Sequence, residues 1–328
     1  MKKSLIALAV LAAAGAASAQ STATVYGLAD IWFGNVKTDN GAGTTTSTTK
    51  VDSGGVNGSR WGLKGSEDLG GGLKANFKLE QGFKLDTGTA TAGQAFSRVA
   101  QVGVEGGFGA VDIGKTWTAF DDIAGASATV FNSALAPANN VFTTTGYQGN
   151  PGNTIRYTSP SFGGVTGALS YSLDEGVAGT AVTSMSLAYE GGPLAAQFGY
   201  QSEDAAAPGS SINYTVLAAS YNFGMATAKL TYGKAGNMGN VSGADATEWE
   251  IGADFPVSAA LTLSAGYAKS SDNATAGSQT RSGYGFGAAY TLSKRTFLYG
   301  GLVHSSTDNA VGADPSADLY AIGIQHKF

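Results

Sequence analysis

The sequence predicts an all-β fold, an antiparallel transmembrane β-barrel of about 16 strands, from three observations. Apolar and polar residues alternate with period two in segments of about ten residues. The connectors between these segments are short and long in turn. An export signal opens the chain, and no later apolar run is long enough for a transmembrane helix.

The export signal rests on Lys2 and Lys3, an apolar run from Leu5 to Ala17, and small residues at Ala17-Ser18-Ala19 where a signal peptidase cuts. Residues 1–19 read as a cleaved signal peptide and 20–328 as a single barrel domain. A membrane anchor is the competing reading, but the run falls short of the roughly 20 residues a helix needs to cross the hydrocarbon core. Cleavage removes two lysines and takes the formal charge from −5 to −7. An acidic chain without a Lys/Arg cluster excludes nucleic acid as a partner. There is no cysteine, so a large sheet rather than disulfides must supply stability. The 49 Gly, 14 Tyr and 15 Phe against 7 Pro suit strands and tight turns better than helices.

Alternation is clearest in two places. Over 72–84, Leu73, Ala75, Phe77, Leu79 and Phe83 alternate with Lys74, Asn76, Lys78, Glu80 and Lys84. Over 247–255, Trp249, Ile251, Ala253 and Phe255 alternate with Glu248, Glu250, Gly252 and Asp254. A strand puts each set on one face; a helix would scatter both. Weaker copies run through Leu194–Tyr200, Leu261–Tyr267 and Tyr284–Leu292, with Gly, Ser, Thr and Gln opposite. Small polar residues there suit a wet interior, and Tyr, Phe and Trp near segment ends suit interfacial girdles.

Short connectors fall near 67–72, 106–109, 159–164, 190–193, 222–224, 256–259 and 293–295. Long Thr/Gly/Ala/Asn-rich ones fall at 38–56, 117–152, 173–181, 203–211, 235–246, 270–280 and 306–316, with a shorter link at 85–94 on their side. The intervening strands are expected at 24–36, 57–66, 73–84, 95–105, 110–117, 153–159, 164–172, 182–190, 194–202, 212–222, 225–234, 247–255, 260–269, 281–292, 295–305 and 318–328. An even count returns both chain ends to the same side.

Several stretches together resemble the Gram-negative trimeric porins of β-proteobacterial type: TVYGLADIWF, GSRWGLKGSEDLGGGLKANFKLEQGF, AFSRVAQVGVEGGFGAVDIGKTW, NTIRYTSPSFGG, YTLSKRTFLYGG and the final LYAIGIQHKF. The resemblance spans nearly all of the mature chain. It implies an outer-membrane homotrimer whose third long loop folds into the lumen, and a water-filled channel for passive diffusion of small hydrophilic solutes and ions. Implied partners are outer-membrane lipid and lipopolysaccharide, and the insertion machinery that reads the terminal Phe328. Tyr320, Ile322, Ile324 and Phe328 share one face of the last strand, interrupted by His326.

The same resemblance assigns Arg60, Arg98 and Arg156 to the pore constriction, where fixed guanidinium forks concentrate anions. Asp121 and Asp122, in the long segment after strand five, are expected to face them. Lys64, Lys74, Lys78, Lys84 and Lys115 are candidate lumen charges. Lys115 stands where related chains lead us to expect arginine, and Gln101 where an apolar residue is usual. The neck is basic while the chain is acidic. Screening over about 8 to 10 Å at physiological salt lets the nearer charge dominate, so mild anion preference is expected.

Three other readings compete. A solute-specific channel would show saturable block, and a structural or adhesive surface barrel would conduct little. An enzyme would need a nucleophile and base, yet the two histidines, His304 and His326, sit beside no nucleophile motif. No metal-ligand or phosphate-loop signature occurs either, so no catalytic residue, metal site or cofactor is expected.

Overall fold

Alternation decides which side chains share a face, and pairing of each strand with the next turns that pattern into a wall. The computed structural model describes residues 22–90, 93–273 and 278–328, so the expected signal peptide lies outside the described residues. The first strands are β1 (Thr22–Asp39), β2 (Thr45–Ser53), β3 (Arg60–Gly70), β4 (Leu73–Gly82), β5 (Val99–Gly106) and β6 (Gly109–Lys115). Then come β7 (Thr154–Thr158), β8 (Val165–Ser172), β9 (Val182–Gly191), β10 (Leu194–Glu203), β11 (Ile212–Asn222) and β12 (Thr227–Gly236). The last are β13 (Ala246–Pro256), β14 (Leu261–Asp272), β15 (Gln279–Thr291), β16 (Thr296–Asn309) and β17 (Ser316–Lys327).

These strands form one 17-stranded antiparallel sheet that closes where β17 pairs with β1. At the seam the amides of Gly27 and Phe328 exchange hydrogen bonds of 3.1 and 3.0 Å, and the Phe328 ring lies where a side chain at position 27 would be. β2 and β3 both pair with β1, through 45–53 and 60–66 respectively. Together they fill one position in the wall, so the cylinder has 16 staves.

This corrects one expectation. The stretch 38–56 reads as a long loop, whereas its middle is β2, with a tight turn at 40–44 before it and the start of the inward turn at 54–56 after it. Thr45–Ser53 is Thr-rich and mostly exposed, with Val51 its one large apolar residue. β-branched residues hold it extended, but it has too few apolar side chains for alternation to show.

The wall is inverted relative to a soluble protein. Large apolar side chains such as Phe33, Val102, Ile113, Leu187, Ile251 and Ile322 stand exposed outside, while Asp30, Glu80, Gln201, Glu248, Glu250 and Gln325 are buried inside. The third connection on the long side, 116–153, lies within the cylinder. It carries a short helix α1 (Pro137–Val141) and three single helical turns. Its Val130, Leu135 and Ala136 pack on Trp32, Tyr299, Val303 and Ala321, while its Phe120 and Ile123 pack on Tyr214, Val216, Ala235 and Ala246. The hydrophobic core therefore lies between this loop and the wall.

Between β2 and β3 the chain turns inward around Asp30. The carboxylate of Asp30, fully buried, accepts the amides of Gly55 (2.9 Å), Val56 (3.1 Å) and Asn57 (2.9 Å) and the hydroxyl of Tyr299 (2.6 Å). A Cβ at Gly55 would lie 2.1 Å from that hydroxyl, so the close approach requires glycine. Asp30→Ala leaves these buried donors without an acceptor and is expected to cost about 3 kcal/mol. A urea midpoint unchanged from wild type, for barrels refolded in detergent, would contradict this.

Candidate functional site

Carboxylates on the far wall grip the inward loop by its backbone. Glu248 of β13 accepts the Thr143 amide, the Thr144 amide (3.0 Å) and the Thr144 hydroxyl (2.6 Å). Two residues along the same inward face, Glu250 accepts the Thr129 hydroxyl at 2.6 Å. Glu203, ending β10, accepts the Gln148 amide at 2.6 Å. Serines complete the hold: Ser170, Ser184 and Ser264 accept the amides of Ala119 (3.0 Å), Phe120 (2.7 Å) and Val130 (2.8 Å). On the opposite side Ala134 donates to the carbonyl of Gly55 at 2.6 Å. The loop thus bridges the lumen.

The near wall carries the cations, and it brings together residues that sequence alone did not connect. Glu80 of β4, with a side chain only 3% exposed, meets Arg98 Nε at 2.7 Å, Lys78 Nζ at 3.5 Å and Arg60 Nε at 3.8 Å. Tyr26 of β1 donates its hydroxyl to Glu80 at 2.8 Å. The Arg98 guanidinium stacks over the Trp117 ring, 4.9 Å from its centroid. Of the three expected arginines, two therefore meet Glu80 rather than the loop acids. Glu80 had appeared in the sequence only as one polar member of an alternating strand.

Arg156 of β7 does meet a loop acid. Its guanidinium pairs with Asp122 at 2.5 Å and donates to the carbonyls of Trp117 (3.0 Å) and Thr118 (3.3 Å). Asp121 turns away and accepts the Tyr147 hydroxyl at 2.5 Å. Burial, reinforced by the neighbouring Asp122 charge, pushes the Asp121 carboxyl above the usual carboxylate range, while the Tyr147 hydrogen bond pulls it back.

The lysines scatter. Lys78 belongs to the Glu80 cluster; Lys64 stands beside it, over the Tyr26 ring. Lys74 pairs with Glu105 at 3.5 Å toward the short-turn end. Lys115 donates to the Asn150 carbonyl at 2.6 Å and so fixes the returning arm of the loop. Lys84 lies beyond β4, in the connection that follows it. His304 pairs with Asp318 at 2.7 Å and His326 with Thr296 at 2.8 Å, neither beside a nucleophile. Among the described residues no group of three His, Cys, Asp or Glu is placed to hold a metal ion.

A sealed cylinder, apolar outside and charged within, narrowed by a loop clamped from wall to wall, defines a diffusion channel of a lipid membrane. Comparison with known proteins places it more closely. The family model described as Gram-negative porin matches residues 5–310. Outer membrane porin protein 32 of Delftia acidovorans is 34% identical, over 99% of this chain and 95% of the relative. The anion-selective porin from Comamonas acidovorans superposes with a TM-score of 0.78 at 26% identity, covering 94% of this chain and all of that one. The trimer form of OmpT from Vibrio cholerae shares the fold alone, with a TM-score of 0.70 at 18% identity over 94% of this chain and 99% of its own. The chain belongs to the Gram-negative porin family: it is an outer-membrane protein that forms a water-filled channel for passive diffusion of small hydrophilic solutes and ions.

Replacing Glu248 and Glu250 together by Ala removes the acceptors for Thr129, Thr143 and Thr144. The expected result is a looser loop, read as greater open-channel current noise and faster protease cleavage within 117–152 in barrels that still insert. Quiet, protease-resistant channels would show that the serines and apolar contacts suffice.

Proposed function

We propose that this porin is a homotrimeric general-diffusion channel with a mild preference for anions, whose neck is set by Arg60 and Arg98 with Glu80 and by Arg156 with Asp122, Asp121 standing behind them on Tyr147. The observation that carries the reading is the imbalance around Glu80, where one buried carboxylate faces Arg60, Arg98 and Lys78. Positive charge is left over in a narrow passage between low-dielectric walls, and such a field concentrates anions even though the whole chain is acidic. The similarity to an anion-selective porin supports the same sign. The channel catalyses no reaction and carries no cofactor; Ala19 marks the cleavage site and Phe328 the signal read during insertion.

The outer face supports the trimer. Along one register row, Tyr267 and Tyr284 continue into His304, Asp318 and Lys37. Aromatic side chains suit the lipid interface, and over β16, β17 and β1 this row of the outer face gives way to polar ones. A neighbouring copy seated over β16, β17 and β1 accounts for that change, while lipid and lipopolysaccharide meet the aromatic strands.

Reversal potentials in a salt gradient test the selectivity. Wild-type channels should favour chloride over potassium, replacement of all three arginines by Ala should shift the preference toward cations, and Glu80→Gln should strengthen the anion preference. Unchanged cation preference across the series would refute the assignment. Acidification should also strengthen anion preference, because Asp121, its carboxyl raised by burial, loses its charge at a higher pH than an ordinary aspartate. Asp121→Asn should flatten that part of the pH profile.

A further inference from the structure

Below the arginines, toward the short turns, two lysines stand face to face. Lys64 of β3 is in direct register with Lys78 of β4, and the pleat points both side chains inward. Like charges directly opposite on a sheet destabilise it. Both ammonium groups lie over one aromatic ring, that of Tyr26, at 5.2 and 5.9 Å from its centroid. The ring is shared, and its hydroxyl is already committed to Glu80.

The surrounding acids leave this pair under-compensated. Glu80, one row above, is divided among Arg98, Arg60, Lys78 and Tyr26. On the rows below, Glu105 pairs with Lys74, Asp112 is held by the Gln101 side chain while its register neighbour Arg156 pairs with Asp122, and Asp68 is in register with Lys74 and accepts the Gly70 amide. Lys64 itself has no carboxylate within 4.0 Å among the described residues. Neutral groups complete the surroundings: Ser66 and Asn76 face each other one row nearer the short turns, while Gln101, in register with Lys78, is turned to Asp112. Chloride would balance one ammonium. An anion with two charges would balance both and use the hydroxyl and amide groups as further donors.

We propose that Lys64 and Lys78, over Tyr26, form a subsite for a small divalent anion on the short-turn side of the neck. The subsite rests on the porin reading and adds a resting place to an otherwise open diffusion path. A bound divalent anion would hinder the passage of chloride.

Planar-bilayer recordings in potassium chloride with added potassium sulfate test this. Sulfate should reduce the chloride current of wild-type channels, more strongly from the short-turn side, while acetate at matched ionic strength should not. Succinate in a parallel arm should block as sulfate does, because two charges rather than a tetrahedral shape are what the lysine pair reads. Lys64→Gln and Lys78→Gln should each raise the half-blocking concentration about tenfold, the size expected of one charge-assisted contact. Lys64→Arg should retain the block, and the outward-facing Lys269→Gln should leave it unaltered. Sulfate block that survives both glutamine replacements, equal block by acetate, or no block in normally conducting wild-type channels would overturn the subsite and leave the porin reading intact. Failure to form any channel would instead sink that reading.

Discussion

Lipid offers no hydrogen-bond partner to a peptide group, and everything else in this molecule follows from that constraint. A sheet satisfies its own amides and carbonyls except at its edges, so the edges must meet. They meet here through β17 and β1, with the terminal Phe328 bonded to Gly27. Once the wall is closed and apolar outside, its inward face must remain polar to keep water. A cylinder of this kind cannot build a core from its own strands, so the loop 116–153 supplies one, packing Val130 and Leu135 on one side and Phe120 and Ile123 on another.

The interior divides its charges by task. On the far wall, Glu203, Glu248 and Glu250 are consumed in holding backbone amides, and Asp30 does the same for the inward turn between β2 and β3. These acids face loop backbone rather than the open passage. On the near wall the cations outnumber their one buried carboxylate. An acidic protein thus presents a basic neck, because position relative to the water path matters more than net charge.

The sequence made the wall legible wherever a strand crosses lipid. The alternation over 72–84 and 247–255 corresponds to β4 and β13, and the short-long rhythm of connectors gives the sidedness of the observed turns. Legibility failed where the physical cause of alternation is absent: Thr45–Ser53 has hardly any apolar side chains, so it reads as loop. It failed also where partners come from distant segments. Glu80 gathers groups from β1, β3 and the chain before β5, a convergence that only register and closure create. Likewise the pair Asp121 and Asp122 reads as one unit in sequence, yet adjacent residues point apart, one to Tyr147 and one to Arg156. The inward course of the loop came from resemblance to known porins, since nothing in its Ala/Asn/Thr composition distinguishes a folded insert from a surface loop.

The clamp on that loop has an evolutionary consequence. Its hydrogen bonds run to strands, to the inward turn at 54–59, to the chain before β5 and to Leu173 just after β8; among the described residues, none joins it to the outer connections 204–211, 237–245 or 310–315. Of those segments 237–245 still lends Met238 to the apolar cluster around Phe120, so 204–211 and 310–315 are the ones that can change length and chemistry while the sieve beneath them keeps its dimensions. The coat can be restyled without retuning the filter.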